Sequence, residues 1–156
     1  TNTFISTAEV VAYFEASPIL CDIEENNHNI NVDQIEALIT SKTKAIIPVH
    51  FGGNPCEMDK INNIAQKNNL KVIEDAAHAL PSFYKDSKIG TDSDATCFSF
   101  YATKNITSGE GGSIVTQDDD LYHKLLKYRT HGMTKGAAER HTAGPASSRA
   151  RGARPV

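Results

Sequence analysis

The stretch KAIIPVHFGGNPCEMDKINNIAQKNNLKVIEDA, residues 44–76, holds two periodicities in one run. "KAIIPVHF" (44–51) and "KVIEDA" (71–76) are short apolar runs rich in β-branched residues, the signature of strands. Between them, "MDKINNIAQKNN" sets Met58, Ile61, Ile64 and Ala65 at helical spacing on one face. Strand, helix and strand in turn predict a right-handed crossover with parallel pairing, because the intervening helix must pack back onto the sheet.

The same alternation continues on both sides. "PILCDI" (18–23), "ATCFSFY" (95–101) and "GGSIVTQ" (111–117) read as further strands, and "FYKDSKIG" (83–90) as a small hairpin-like insertion. "NVDQIEALIT" groups Val32, Ile35, Leu38 and Ile39 on one helical face. A last helix starts at Asp118 in "DDDLYHKLLKYRTHG", with acidic residues at its N-terminus and Gly132 to stop it. The predicted fold class is α/β, a mostly parallel sheet flanked by helices.

Composition excludes several classes. Of 156 residues, 39% are apolar and 22% charged, which suits one ordinary globular domain and not a fibrous or disordered chain. A net charge of −3 offers no attraction for nucleic acid or an anionic membrane, and neither partner is expected. Cys21, Cys56 and Cys97 are odd in number and lack a CxxC pair, so neither a disulfide framework nor a structural zinc is predicted. With no leader-like start and no run near the ~18 apolar residues of a spanning helix, a cytoplasmic protein is expected. From Thr134 onward the character changes. Five Lys or Arg stand against one Glu, leaving the preceding residues at −7, and Val156 is the one strongly apolar residue. Such a tail buries too little to offset its ordering entropy, so a globular part over 1–133 and a disordered basic tail over 134–156 are expected.

In open α/β sheets ligands gather beyond the carboxyl ends of the strands. Here those ends carry His50; Glu74, Asp75 and His78; and the run from Ser99 to Lys104. Singly, each has an ordinary explanation as a cap, a packed hydroxyl or a solvated charge. Together, an acid at one strand end, a hydroxyl on a neighbouring strand and a lysine five residues beyond it form the set that a pyridoxal phosphate site requires. The lysine amine forms a Schiff base with the cofactor aldehyde, the acid keeps the pyridine nitrogen protonated, and the hydroxyl with exposed backbone amides binds the phosphate. Glycines 109, 111 and 112 let the chain reverse and re-enter the sheet after Lys104. "GEGGS" matches neither common phosphate-loop pattern, and His50, His78 and Cys56 have no usual metal-ligand spacing.

The segment KVIEDAAHALPSFYKDSKIGTDSDATCFSFYATKNITSGEGGSIVTQDDDLYHKLLKYRTHG resembles the DegT/DnrJ/EryC1/StrS family of sugar aminotransferases, a branch of the fold-type I pyridoxal phosphate enzymes. "TNTFISTAEVVAYFEASPILCDIE" and "SKTKAIIPVHFGGNPCEMDKI" are similar to the same family's pattern, so the resemblance covers about 1–133. It implies part of the large cofactor-binding domain of an aspartate-aminotransferase-like enzyme. In "EDAAHA" it places Asp75 against the pyridine nitrogen, Ala77 on the ring face and His78 near the phenolic oxygen. In "FSFYATKN" it makes Ser99 a phosphate ligand and Lys104 the Schiff-base and proton-transferring residue, leaving Thr103 and Asn105 to shape the turn. The implied reaction moves an amino group from an amino acid, typically glutamate, to a keto group of a nucleotide-linked deoxysugar, in a homodimer. Dehydratases of the family carry histidine in place of the lysine, so Lys104 favours amino transfer. The resemblance implies a longer enzyme, with an N-terminal glycine-and-threonine loop and a small C-terminal domain outside the residues that carry the resemblance. The alternative expectation is therefore a truncated or non-catalytic relative that keeps part of the fold without turnover.

Overall fold

The computed structural model describes residues 2–133; the basic tail, 134–156, lies outside them. In chain order, the larger compact unit, Thr1–Asp119, carries α1 (Ser6–Ala12), α2 (Val32–Leu38), β1 (Ala45–Ile46), α3 (Met58–Lys67), β2 (Lys71–Asp75), β3 (Phe83–Tyr84), β4 (Ser87–Lys88), β5 (Ala95–Ser99) and β6 (Gly112–Val115). A further helix, α4 (Asp119–Arg129), belongs almost wholly to a second unit. Taken by itself, α4 ends with Lys127 and Arg129 in its last turn, and Gly132, at φ 77°, donates its N–H to the Lys127 carbonyl. The glycine stop expected from sequence is thus in place.

Four strands form one sheet in the order β1-β2-β5-β6. β1 pairs with β2 and β2 with β5 in parallel, with Asp75 opposite Cys97. β6 runs antiparallel to β5, with Ser99 opposite Gly112. The antiparallel edge follows from the connection, which has a glycine-bearing loop and no crossover helix between Ser99 and Gly112. Gly112 sits where its neighbour leaves no room for a side chain, since a Cβ there would lie 2.7 Å from the Phe98 carbonyl oxygen. β3 and β4 make the separate hairpin predicted over 83–90.

The expected strand at 18–23 is not one. Ile23 forms a lone antiparallel bridge with Ile30, and Asn31 donates its N–H to the Asp22 carbonyl, so this end of the segment folds back on the residues just after it. A strand exists only where a neighbour supplies a ladder; residues 18–22 have none among the described residues, and Ile19 and Leu20 are 68% and 63% exposed. α1 is a second departure from the sequence expectation, which has no helix over 6–12.

α2 and α3 cover one face. Val32, Ile35, Met58, Ile61, Ile64 and Ala65 pack with Ile46, Val72 and Cys56 into one core, and burying Ile61 completely is worth about 2 kcal/mol. A second cluster, Ala76, Ala79, Ile89 and Phe98, lies past the end of β2 under the hairpin. Because strand side chains alternate, Glu74 and Thr96 point to the α3 side while Asp75, Cys97 and Ser99 share the opposite face.

Candidate active site at the strand ends

Asp75 is the last residue of β2, and its carboxylate is held from both sides. The Ala77 N–H donates to Oδ1 at 3.1 Å, closing a side-chain turn. The Thr7 hydroxyl of α1 donates to Oδ2 at 2.6 Å, across 68 residues of sequence. The ladder continues one residue past the strand, where Ala76 donates its N–H to the Cys97 carbonyl at 2.9 Å. That bond keeps the turn after Asp75 beside the end of β5.

Ser99 ends β5 two residues beyond the partner of Asp75, so both side chains rise from the same face of adjacent strands. Its hydroxyl oxygen accepts the Tyr101 N–H at 3.3 Å, which leaves the hydroxyl proton available to an acceptor. Lys104 lies in the following turn, its N–H bonded to the Tyr101 carbonyl at 3.0 Å and its side chain half-buried. The rest of that loop is internally tied: Phe100 donates to the Gly111 carbonyl, Ser108 to the Phe100 carbonyl, and the Thr107 hydroxyl caps the Gly109 N–H. Asn105 does more than shape a turn. Its side-chain amide lies 3.4 Å from both the His78 and Leu80 carbonyls, which links the lysine loop to the loop after Asp75.

The structure therefore brings Asp75, Ala77 and Ser99 to neighbouring strand ends and ties the loop carrying Lys104 to the one carrying His78. His78 itself is exposed, and the contacts it makes there run through its backbone carbonyl. A third loop backs the second. Asn29, buried, donates its side-chain amide to the Asn54 and Pro55 carbonyls and accepts the Phe51 N–H, fixing residues 51–55. Gly53 in this loop has φ 84°, and a Cβ there would stand 2.7 Å from the His78 carbonyl oxygen, while Ser82 donates its hydroxyl to the Gly53 carbonyl.

On the other face of the strand, Glu74 and His50 are buried together, away from the exposed His78. His50 Nδ1 accepts the Cys56 N–H at 3.1 Å, so the ring proton sits on Nε2 and is donated to Glu74 Oε2 at 2.7 Å. Glu74 Oε1 accepts from the hydroxyls of Thr96, at 2.7 Å, and Ser93. Burial pushes this carboxyl up, but the bonds from His50, Ser93 and Thr96 outweigh it and hold it below the usual carboxylate range. Cys56, buried beside His50, has its thiol pushed up to about 12 by burial, with the Glu74 charge acting in the same sense. His50 and Cys56 are thus packing partners, each satisfied within the protein. The residues that sequence alone does not single out are Thr7 and Thr3, whose hydroxyls lie 2.8 Å apart next to Asp75. No spacing rule connects them to it.

The fold and these strand-end groups define an α/β domain with a candidate ligand site where β2 and β5 end. The family model for the DegT/DnrJ/EryC1/StrS aminotransferase family matches residues 1–148, and the chain belongs to that family. The spore coat polysaccharide biosynthesis protein SpsC of Bacillus subtilis is 49% identical over 140 residues, covering 90% of this chain and 36% of SpsC. GDP-perosamine synthase of Caulobacter vibrioides is 47% identical over 131 residues, covering 84% of this chain and 35% of that protein. Among solved structures, Spr1654 of Streptococcus pneumoniae in its PLP form superposes with a TM-score of 0.80 at 31% identity, covering 86% of this chain and 40% of that one. The architecture corresponds to part of the large domain of fold-type I aminotransferases, as the sequence predicts. The chain spans about a third of the length of the curated relatives it matches.

Proposed function

We propose that this chain carries the cofactor-binding strand ends of an enzyme that moves an amino group from an amino acid, glutamate by expectation, to a keto group of a nucleotide-linked deoxysugar. Residues 1–133 are then part of its large domain. The observation that carries the proposal is the placing of Asp75 and Ser99 on one face of adjacent parallel strands, with Lys104 on a loop linked back toward them through Asn105. Family membership and the sugar-directed names of GDP-perosamine synthase and SpsC support it.

The donor set fits pyridoxal phosphate: a carboxylate with lone pairs to spare for a ring N–H, a hydroxyl with an uncommitted proton for a phosphate oxygen, and a primary amine. When bound, the cofactor supplies an aldehyde that condenses with amines and a ring that withdraws electrons from the substrate carbon. Asp75 would accept the ring N–H, Ala77 would pack on the ring face, His78 would serve the phenolic oxygen, and Ser99 would donate to the phosphate. Lys104 Nζ would supply the amine that condenses with the aldehyde and, once displaced by the incoming amine, the base that would take the proton from the amino-donor carbon and pass it to the former aldehyde carbon. In the second half of the cycle it would deliver a proton to the sugar carbon that gains nitrogen. Amino-acid and nucleotide-sugar substrates, and a homodimer, belong to the same proposal.

Incubation with pyridoxal phosphate, borohydride reduction and peptide mapping test it. A pyridoxyl group on Lys104, absent from Lys104→Ala, is the expected result. Labelling spread over surface lysines, or none on Lys104 in the chain extended by the residues its gene encodes on either side, overturns the proposal.

A further inference from the structure

α1 is a short helix with no buried residue, flanked by Phe4 and Ile5 at 77% and 69% exposure, so packing does little to explain its place. Yet its Thr7 makes one of the shortest side-chain bonds in the chain, 2.6 Å to Asp75 Oδ2. A carboxylate oxygen only accepts, so the Thr7 hydroxyl must donate to it. The 2.8 Å contact between Thr3 and Thr7 then has one direction, with Thr3 O–H donating to Thr7 Oγ1. Two hydroxyls in series therefore end on the acid at the tip of β2.

We propose that Thr7, backed by Thr3, is a positioning residue that fixes the Asp75 carboxylate for the ring nitrogen of the cofactor; this rests on the reading of Asp75 given above. The Ala77 N–H holds one oxygen at 3.1 Å and Thr7 the other, so the group cannot rotate about its terminal bond without losing both donors. Each oxygen keeps a lone pair, and the free lone pairs lie in a set direction. With Ala77 alone the carboxylate would pivot on Oδ1, and part of the cofactor's binding energy would go into ordering it. Polarisation of the Thr7 hydroxyl by Thr3 strengthens its bond to the acid. The device is absent from the local sequence of the acid and depends on α1 bringing Thr7 to the Asp75 carboxylate.

The test compares wild type with Thr7→Val, Thr7→Ser and Thr3→Val, measuring pyridoxal phosphate affinity, the pH dependence of the bound cofactor's absorbance, and thermal unfolding without cofactor. Thr7→Val keeps the side-chain shape and removes the donor. It should weaken cofactor binding about tenfold and shift the pH profile, the loss expected of one hydrogen bond to a charged group. Thr7→Ser should restore both to within about threefold, Thr3→Val should lose about threefold, and unfolding should stay within a few degrees for all. If Thr7→Val binds as wild type with the same profile, or Thr7→Ser is as impaired as Thr7→Val, the positioning role is overturned while the Asp75 reading stands. A wild type that binds no cofactor, even in the chain extended by the residues its gene encodes on either side, overturns both.

Discussion

Replacing Glu74 in two ways separates its charge from its acceptor geometry. Three donors converge on it: His50 Nε2 and Thr96 Oγ1, each at 2.7 Å, and the Ser93 hydroxyl. In Glu74→Gln the amide oxygen still faces His50, and the amide nitrogen faces two hydroxyls that rotate to accept. Ser93 can then redirect its proton to the Ala95 carbonyl, 3.3 Å away, and Thr96 to Ser93, 2.9 Å away. Only the charge-assisted part of the bonds is lost, and relief from burying an anion offsets some of it, so the cost is about 1 kcal/mol. In Glu74→Leu the His50 N–H cannot turn elsewhere without giving up the Cys56 N–H, and it is left buried and unpaired. An orphaned donor and three lost bonds bring the cost to about 3 kcal/mol. At an m-value of about 1.5 kcal/mol/M, urea midpoints fall by about 0.7 M for Gln and about 2 M for Leu. The pH dependence follows from the depressed Glu74 value. Its contribution is complete above the ordinary carboxylate range, near 4.5, and is lost as pH falls through the lower folded-state value. The gap between wild type and Glu74→Gln should therefore close as pH drops below about 4.5. Equal midpoints for Gln and Leu, or a gap that persists unchanged in acid, would refute the assignment of Glu74 as a buried ionised acceptor.

Gly53→Ala should cost about 1–3 kcal/mol in urea unfolding and lower the yield of pyridoxyl-Lys104, because φ 84° strains any side chain and the new Cβ meets the His78 carbonyl. A change within about 0.5 kcal/mol would show that the loop yields freely. Cys56, with its thiol pushed up to about 12, should stay unmodified by iodoacetamide at pH 8 in the native protein and react only on unfolding; prompt native labelling would contradict its burial.

The α/β class, the two core-facing helices, the hairpin and the antiparallel return after Lys104 were readable in the sequence, because each is written in local periodicity or in glycine placement. Spacing alone puts Met58, Ile61, Ile64 and Ala65 on one helical face, and all four are buried. Residues 18–23 show where that logic stops. Their apolar alternation states what a strand would need and cannot supply the neighbouring ladder, which among the described residues shrinks to one bridge at Ile23.

The candidate site divides in the same way. Asp75, Ser99 and Lys104 stand at motif positions that the sequence determined by itself, since the acid follows one apolar run and the hydroxyl and amine close another. Which face they occupy, and what touches them, was decided by the tertiary structure. The register of β2 on β5 puts Asp75 opposite Cys97 and so on the same side as Ser99, while sending the adjacent Glu74 to the opposite side with His50. Thr7 reaches Asp75 from 68 residues away, and Asn105 reaches the His78 carbonyl from 27. A hydrogen bond depends on distance and direction in space. Sequence spacing encodes these only within one helix or strand, so contacts between elements appear once the sheet is assembled.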